Sequence, residues 1–376
     1  CEAKAFTENA SLKEKLGGDK MKKVKAICIM GFVALIAAMM VMPVTAQLTC
    51  PYDICVNETG WWRNGGEFNA SGYPDYSIED ALDHAVDGDT VFIQSGYYHH
   101  AGGHDGVLPL PADVTNLTLK GEGADVVTLD FEGISGSEIS IYSGNSGAVI
   151  EGIKIVNCSR GIEVDAPDCI IRNCVVEGLT YEIQIAGSNA TFMNNIVTGS
   201  TERSCLRVTG NNCTIVSNTF INNPFSTTTK SAIFIKGTND IVSNNTILNN
   251  TGRGIGLSST SSNCIITRNN ISSNYLGFKV FTAEGSKIYL NNICDNTAGN
   301  VEYGTTPPTV IFWNSTEPIE YVWNGTTYTN YLGNYWDDYT GPDTSPEDGI
   351  GDVPYVVYGT DMDYHPLMTK FENYLG

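Results

Sequence analysis

From about Val149 onward the chain alternates apolar and polar residues in short runs, as in Gly161-Ile162-Glu163-Val164 and Glu182-Ile183-Gln184-Ile185. A period of two over a few residues predicts strands. The runs recur. An Asn returns at Asn173, Asn194, Asn218, Asn245, Asn269 and Asn291, at spacings of 21, 24, 27, 24 and 22. Two residues after each stands an apolar side chain: Val175, Ile196, Phe220, Ile247, Ile271 and Ile293. A second apolar column falls at Ile162, Ile183, Leu206, Ile233, Ile255, Phe278 and Val301. Short strands repeating about every 22 residues predict stacked coils, an all-β parallel β-helix or solenoid. Each coil would pair its backbone with the next about 4.8 Å away. Inward residues would form ladders of Ile, Val, Leu and Phe. The recurring Asn would stack as a ladder of amides bonded to the turn backbone, in turns whose left-handed geometry Asn tolerates. A leucine-rich repeat lacks its L-x-x-L-x-L phrase here, and a propeller blade is about twice as long. The period predicts about eight to ten coils, roughly 40–50 Å of stacked strands.

The flanks read as caps, because an open solenoid end would expose the core. Ser77 to Val86 places Ile78, Ala81, Leu82, Ala85 and Val86 on one helical face, with Ser77 as N-cap. Trp61 and Trp62 are expected to seal the same end. Late in the chain Trp313, Tyr321, Trp323, Tyr328, Tyr331, Tyr335, Trp336 and Tyr339 gather. They are read first as a seal on the last coil and second as a sugar-stacking platform. The divisions that follow are an upstream extension at 1–20, a signal peptide at 21–46, a loop region at 47–76, the β-helix with its helix at 77–304, and a β/loop cap at 305–376.

Composition sharpens this picture. The chain has 376 residues, 41% hydrophobic and 17% charged, so it can bury a large core. Its 39 Gly and 14 Pro favour turns over a helical bundle. A formal charge of −21 excludes a nucleic-acid backbone as partner and leaves no dense basic cleft expected for anionic pectin or alginate. Met21, the basic Lys22, Lys23 and Lys25, the apolar Ala26 to Val41 and small residues at Val44 and Ala46 read as a secretory signal cut before Gln47. The apolar run is short for a membrane span, and no later run is long enough, so no span is expected after cleavage. An extracytoplasmic, cell-surface address agrees with eleven N-x-Ser/Thr sequons, at Asn57, Asn69, Asn116, Asn157, Asn189, Asn212, Asn244, Asn249, Asn270, Asn314 and Asn324. Several of these are expected to carry glycans. Cys50 and Cys55 are disulfide candidates, and the other seven mature cysteines read as small apolar packing groups.

Specific phrases then resemble a known family. Ser77 to Tyr98, with its helix, Gly88-Asp89-Thr90 turn and following strand, is similar to the opening of the NosD-type or CASH-type right-handed parallel β-helix proteins, as is Leu117-Thr118-Leu119-Lys120-Gly121-Glu122-Gly123. Gly333-Asn334-Tyr335-Trp336-Asp337-Asp338-Tyr339, Asp348 to Tyr355 and Tyr364-His365-Pro366-Leu367-Met368 closely resemble the C-terminal phrase of archaeal, methanogen-like surface members. The resemblance covers roughly 70–376. It implies an extracytoplasmic protein with some relation to polysaccharide, within the wider pectate-lyase-like superfamily, and no single activity.

The candidate chemistry lies in four places. The outward column of the second strand reads Glu163, Gln184, Arg207, Phe234, Gly256, Lys279 and Glu302, with Asp165, Glu182, Lys236, Ser258 and Phe281 beside it. Glu163, Gln184, Arg207, Phe234 and Lys279 would suit the hydroxyls and ring faces of a polysaccharide or envelope glycan. Arg207 with Glu163 and Glu182 are the candidates for lyase, epimerase or hydrolase chemistry, which needs a base beside carboxylates. A plain solvated strand face is the competing reading, and a non-catalytic binding protein is the preferred function. His99, His100 and His104 could hold Cu or Zn, the family's copper-handling theme, or be solvated in a Gly-rich loop. Asp343, Asp348 and Asp352 lie in a degraded D-x-D-x-D-G-x-G-D loop that could bind Ca²⁺ or simply be an acidic turn.

Overall fold

A computed structural model describes residues 50–72, 76–99, 106–136, 138–304 and 310–375. The signal segment 21–46, the extension 1–20, His100 and His104 lie outside the described residues. The alternation seen in the sequence is realised as three long parallel sheets forming a β-solenoid of about eight turns. Each coil contributes one short strand to each sheet. In the coil at 170–185, Ile170–Arg172 belongs to sheet one, Val175–Glu177 to sheet two and Ile183–Ile185 to sheet three.

Register keeps like residues stacked. In sheet one, Ile150, Ile171, Phe192, Ile215, Val242, Ile266 and Ile288 pair in sequence, coil on coil. In sheet three, Ile183, Leu206, Ile233, Ile255 and Phe278 do the same. These side chains are fully buried in one core running from Ile54 to Trp336. Each such residue contributes about 2 kcal/mol relative to exposure, which explains why the apolar column is kept over so many repeats.

The Asn ladder needs a correction at its start. The stacked, buried amides are Asn195, Asn218, Asn245, Asn269, Asn291 and Asn334. Asn245 is representative. Its Nδ2 donates to Asn269 Oδ1 at 2.9 Å and to the Ile215 carbonyl at 2.9 Å, and its Oδ1 accepts from Asn218 N and Nδ2. Asn173 and Asn194 instead precede the ladder position. They belong to a turn column with Asn244, all at φ 55. The ladder position of their coils is held by Cys174 and Asn195. Val175 and Ile196 therefore do not enter the core; Ile196 is 42% exposed, while Val176 and Val197 are buried. A left-handed residue followed by an inward amide makes the corner between sheets one and two. Where two Asn stand together, either satisfies a one-residue pattern, and only pairing decides which turns inward.

A second amide ladder closes the next corner through Asn223, Asn250, Asn274 and Asn296. Each lies five residues after a ladder-one Asn, so its spacing was present in the sequence but unread. The seven free cysteines among the described residues are all buried, as small packing groups should be. Burial pushes the thiols of Cys158, Cys174 and Cys213 up to about 12.

At the N-terminal end, the region expected as loop instead forms an antiparallel meander, Ile54–Asn57, Gly60–Arg63 and Asn69–Ala70. It extends sheet one beyond Thr90–Ile93. Cys50 and Cys55 form a disulfide with Cα atoms 5.9 Å apart, packed on Trp62. The helix is shorter than its pattern predicted, Ser77–Leu82. Its N-cap is Tyr76, Ser77 is buried inside the first turn, and Val86 is 56% exposed rather than packed. Ile78, Ala81, Leu82 and Ala85 cover the core as expected.

At the other end, Asn334 continues the ladder after a jump of 43 residues from Asn291. Trp336 pairs beside Ile293 and donates from Nε1 to the buried Asp363 at 2.9 Å. The Gly333–Tyr339 phrase is therefore the last rung of the solenoid. Trp313, Tyr321 and Trp336 are buried, which favours sealing over a sugar platform. No described helix is long and apolar enough to cross a membrane.

Candidate functional site

The outward residues of sheet three stand in single file, because parallel pairing without a slip places like positions above one another. Ser140, Glu163, Gln184, Arg207, Phe234, Gly256, Lys279 and Glu302 are in register from coil to coil. The structure thus brings every residue of the expected column onto one face. Two groups of opposite character divide it.

The first group is acidic and tightly bonded. Arg160 Nη1 lies 2.7 Å from Glu163 Oε2 and 3.5 Å from Glu138 Oε2. Gln184 Nε2 donates to Glu163 Oε1 at 3.3 Å, and Ser140 Oγ donates to Glu138 Oε1 at 3.2 Å. Glu138 is 7% exposed. Burial, and then the facing Glu163 carboxyl, raise it to about 7. Both causes favour the protonated form of Glu138, the form a general acid requires. Glu138 was not among the sequence candidates. Its signal was the Glu138↔Gly161 pairing, one coil before the repeats become obvious.

The second group is cationic. A cavity of about 230 Å³ is lined by Glu182, Arg203, Arg207, Lys230, Phe234 and Arg253, among others. Arg207 Nη1 pairs with Glu182 Oε1 at 2.9 Å. Arg203 lies 4.5 Å over the Tyr181 ring and donates to its hydroxyl at 2.9 Å. This corrects the expectation drawn from net charge. The −21 total conceals a local basic pocket, because cations far apart in sequence fall on consecutive coils. Gly256 explains its own place in the column. A Cβ there would lie 2.8 Å from Phe234 Cδ2, so the glycine leaves room for that ring to lean over the next coil.

Arg207 thus contacts Glu182 but not Glu163, and the catalytic candidates separate into the two groups. Lys279 is 6% exposed and held by Glu302 Oε1 at 2.6 Å and the Tyr303 carbonyl at 2.8 Å. That bonding makes it more structural than ligand-facing.

The candidate metal residues are placed differently. Asp343 accepts from Asp348 N and Gly349 N, Asp352 from Thr344 N and Oγ1, and Asp348 from Ile350 N. Each carboxylate pins its own piece of turn. Among the described residues no group of three or more His, Cys, Asp or Glu is arranged to hold a metal. Of the histidine cluster only His99 is described. It lies 3.4 Å from Glu132, and its ring meets that of Tyr97 at 4.7 Å, tilted by 51°, beside a cavity of about 440 Å³ lined by Asp130, Asn157 and Cys158. Copper would need soft or imidazole ligands facing solvent. The described thiols are buried with raised pKa values, so the described residues do not fit that ion.

The model of a family described as periplasmic copper-binding protein (NosD) matches residues 113–341, more than half of the chain. Among solved structures, the chain is similar to the A-module of mannuronan C-5 epimerase AlgE6 from Azotobacter vinelandii. The identity is 16% and the TM-score 0.42, over 61% of this chain and 75% of that one. It is also similar to alginate lyase AlyF-OU02, solved in complex with G6, at 13% identity and TM-score 0.48, over 70% of this chain and 63% of that one. The catalytic unit of a GH87 α-1,3-glucanase from Streptomyces thermodiastaticus matches at 16% identity and TM-score 0.42, over 69% and 57%. The chain spans less than two thirds of the length of the last two. No curated protein matches it in sequence.

Proposed function

The chain belongs to the NosD family, and from that premise we propose that it is an extracytoplasmic protein that binds carbohydrate along the outer face of sheet three without turning it over. The observation that carries this reading is the single file of outward side chains on that face, where half-buried Phe234 and Phe281 stand among Gln184, Arg207 and Glu163. Aromatic faces take the C–H side of sugar rings, and fixed amide and charged groups take hydroxyls. A linear glycan lying along the solenoid would meet a new set of groups about every 4.8 Å. The signal segment, the Cys50–Cys55 disulfide and the exposed sequons support the address outside the cytoplasm.

A second reading rests on Glu138 and Glu163. A buried carboxyl whose pKa is raised, standing beside a second carboxyl, supports general acid chemistry on a glycosidic bond or uronate. One experiment separates the two. The full chain is incubated with a panel of neutral and acidic oligosaccharides, and both binding and new reducing or unsaturated ends are measured. Binding without new ends is expected, and Phe234→Ala should weaken it about tenfold while melting stays unchanged. Turnover that Glu163→Gln abolishes would establish the catalytic reading instead, and no binding to any member would overturn the proposal.

A further inference from the structure

Among the described residues, seven of the fourteen lysines and arginines are neutralised by an ion pair, Arg63 with Asp89, Lys120 and Arg172 with Glu151, Lys154 with Glu177 and Lys279 with Glu302 among them. The pocket beside Phe234 gathers several of the others in one place. Among the described residues, Arg203, Lys230 and Arg253 make no ion pair: Arg203 is held by Tyr181, and Arg253 Nη1 donates to the Thr229 carbonyl at 2.9 Å. The nearby Glu202 accepts instead from Ser226 Oγ at 3.1 Å. Four cations therefore face one cavity against a single lining carboxylate, Glu182.

Gathering like charges costs Coulomb energy, and the surplus here is about three positive charges in a partly desolvated space. Arg207 adds an independent sign. Its Nε–H is buried without an acceptor, although its Nη1 is paired with Glu182. Excess positive charge gathered in one cavity, beside a guanidinium with an unmet donor, calls for an anionic oxygen. The rings of Phe234 and Phe281 also line this cavity, so the anion would be carried on a body with an apolar face. A sugar ring bearing a carboxylate or sulfate has both features. A polyphosphate backbone does not suit, since closely spaced charges would meet the −21 of the whole chain.

We infer that the pocket formed by Arg203, Arg207, Lys230 and Arg253 is an anion subsite that selects acidic glycans, docking one carboxylate or sulfate group per pocket with its ring against Phe234. This rests on the reading of sheet three as a carbohydrate-binding face and specifies the ligand class.

Titration calorimetry of the full chain at 0.15 M salt tests this with three sugar probes of similar length, an oligogalacturonate, a κ-carrageenan oligosaccharide (sulfate without carboxylate) and a neutral galacto-oligosaccharide, and with single-stranded DNA. At least one acidic probe should bind about tenfold more tightly than the neutral one and weaken as salt rises. The first two probes distinguish carboxylate from sulfate. Lys230→Gln and Arg253→Gln, neither of which breaks an ion pair, should each reduce that preference while leaving the neutral affinity in place. Folding of both variants is checked by their melting. Equal binding of acidic and neutral probes would overturn the subsite and leave the carbohydrate face standing. Absence of binding by all three would overturn both. Tighter binding of single-stranded DNA than of either acidic sugar would overturn the glycan assignment in favour of a nucleic-acid ligand.

Discussion

The corner between sheets one and two and the outer face of sheet three are built from the same repeats, yet they have opposite characters. The corner is nearly invariant. From Asn218 to Asn291 every coil places an amide in the same buried slot, and each bonds to its neighbours at 2.9–3.0 Å. The sheet-three column is different at every coil, running from Glu163 through Arg207 and Phe234 to Lys279. Identity is retained where a side chain must satisfy the coil above and below it. It is released where the side chain meets only solvent or a ligand. The repeat therefore reports the scaffold, and departures from it on one face report the site.

The largest test of this contrast is Asn245→Leu. It removes four side-chain bonds: Asn218 N loses its acceptor, and Asn218 Nδ2, Asn269 Oδ1 and the Ile215 carbonyl each lose one partner in the buried corner. A loss of at least about 3 kcal/mol is expected in denaturant unfolding. An unchanged midpoint would end the ladder as a stabilising device.

A subtler break in the internal regularity is Asp240, fully buried at the strand-entry position that its neighbours fill with Cys213 and Cys264. Its Oδ1 accepts from Cys213 N at 2.8 Å, while Oδ2 has no partner. Burial pushes its pKa up to about 7. A carboxyl whose folded pKa is raised binds more protons in the native state. Its contribution is therefore intact at low pH and lost as pH climbs from about 4 to about 7. The wild type should lose about 2–4 kcal/mol more than Asp240→Asn across that window. Parallel pH profiles of the two melting curves would contradict this. Comparison with the variant is needed because Glu138 and Asp363, both raised to about 7, respond in the same direction.

The smallest expected effect sharpens the comparison from the other side. Asn244 precedes the ladder position, is exposed and takes φ 55. Asn244→Ala should cost only about 1 kcal/mol, the strain of a left-handed alanine. A loss as large as that of Asn245→Leu would show that the two positions had been assigned the wrong way round.

Much of the scaffold was legible because periodicity is a local property. The coil repeat, the inward Ile columns, the Glu163-to-Glu302 file and the helix at Ser77 could be read from spacing alone. The errors arose where two residues competed for one role. Asn173 and Asn194 fit the ladder by spacing because each sits beside the residue that holds the position, and Ser77 has the residue type of a cap one place from where the cap stands. The second ladder at Asn223 to Asn296 follows the first at a fixed offset, so its period adds nothing that the first does not already show.

What the sequence determined by itself was the fold: strands of period two, repeated about every 22 residues, have one way to bury their apolar face. Tertiary structure alone decided the site. Glu138 meets Glu163, and Arg203 meets Lys230 and Arg253, only because coils of unequal length close on a common strand spacing. Loops of different length absorb the difference at the corners. Coil length varies from 21 to 27 residues, so the distance in sequence between two such side chains carries no fixed meaning. Their distance in space is set by strand stacking, which no local pattern of residues expresses.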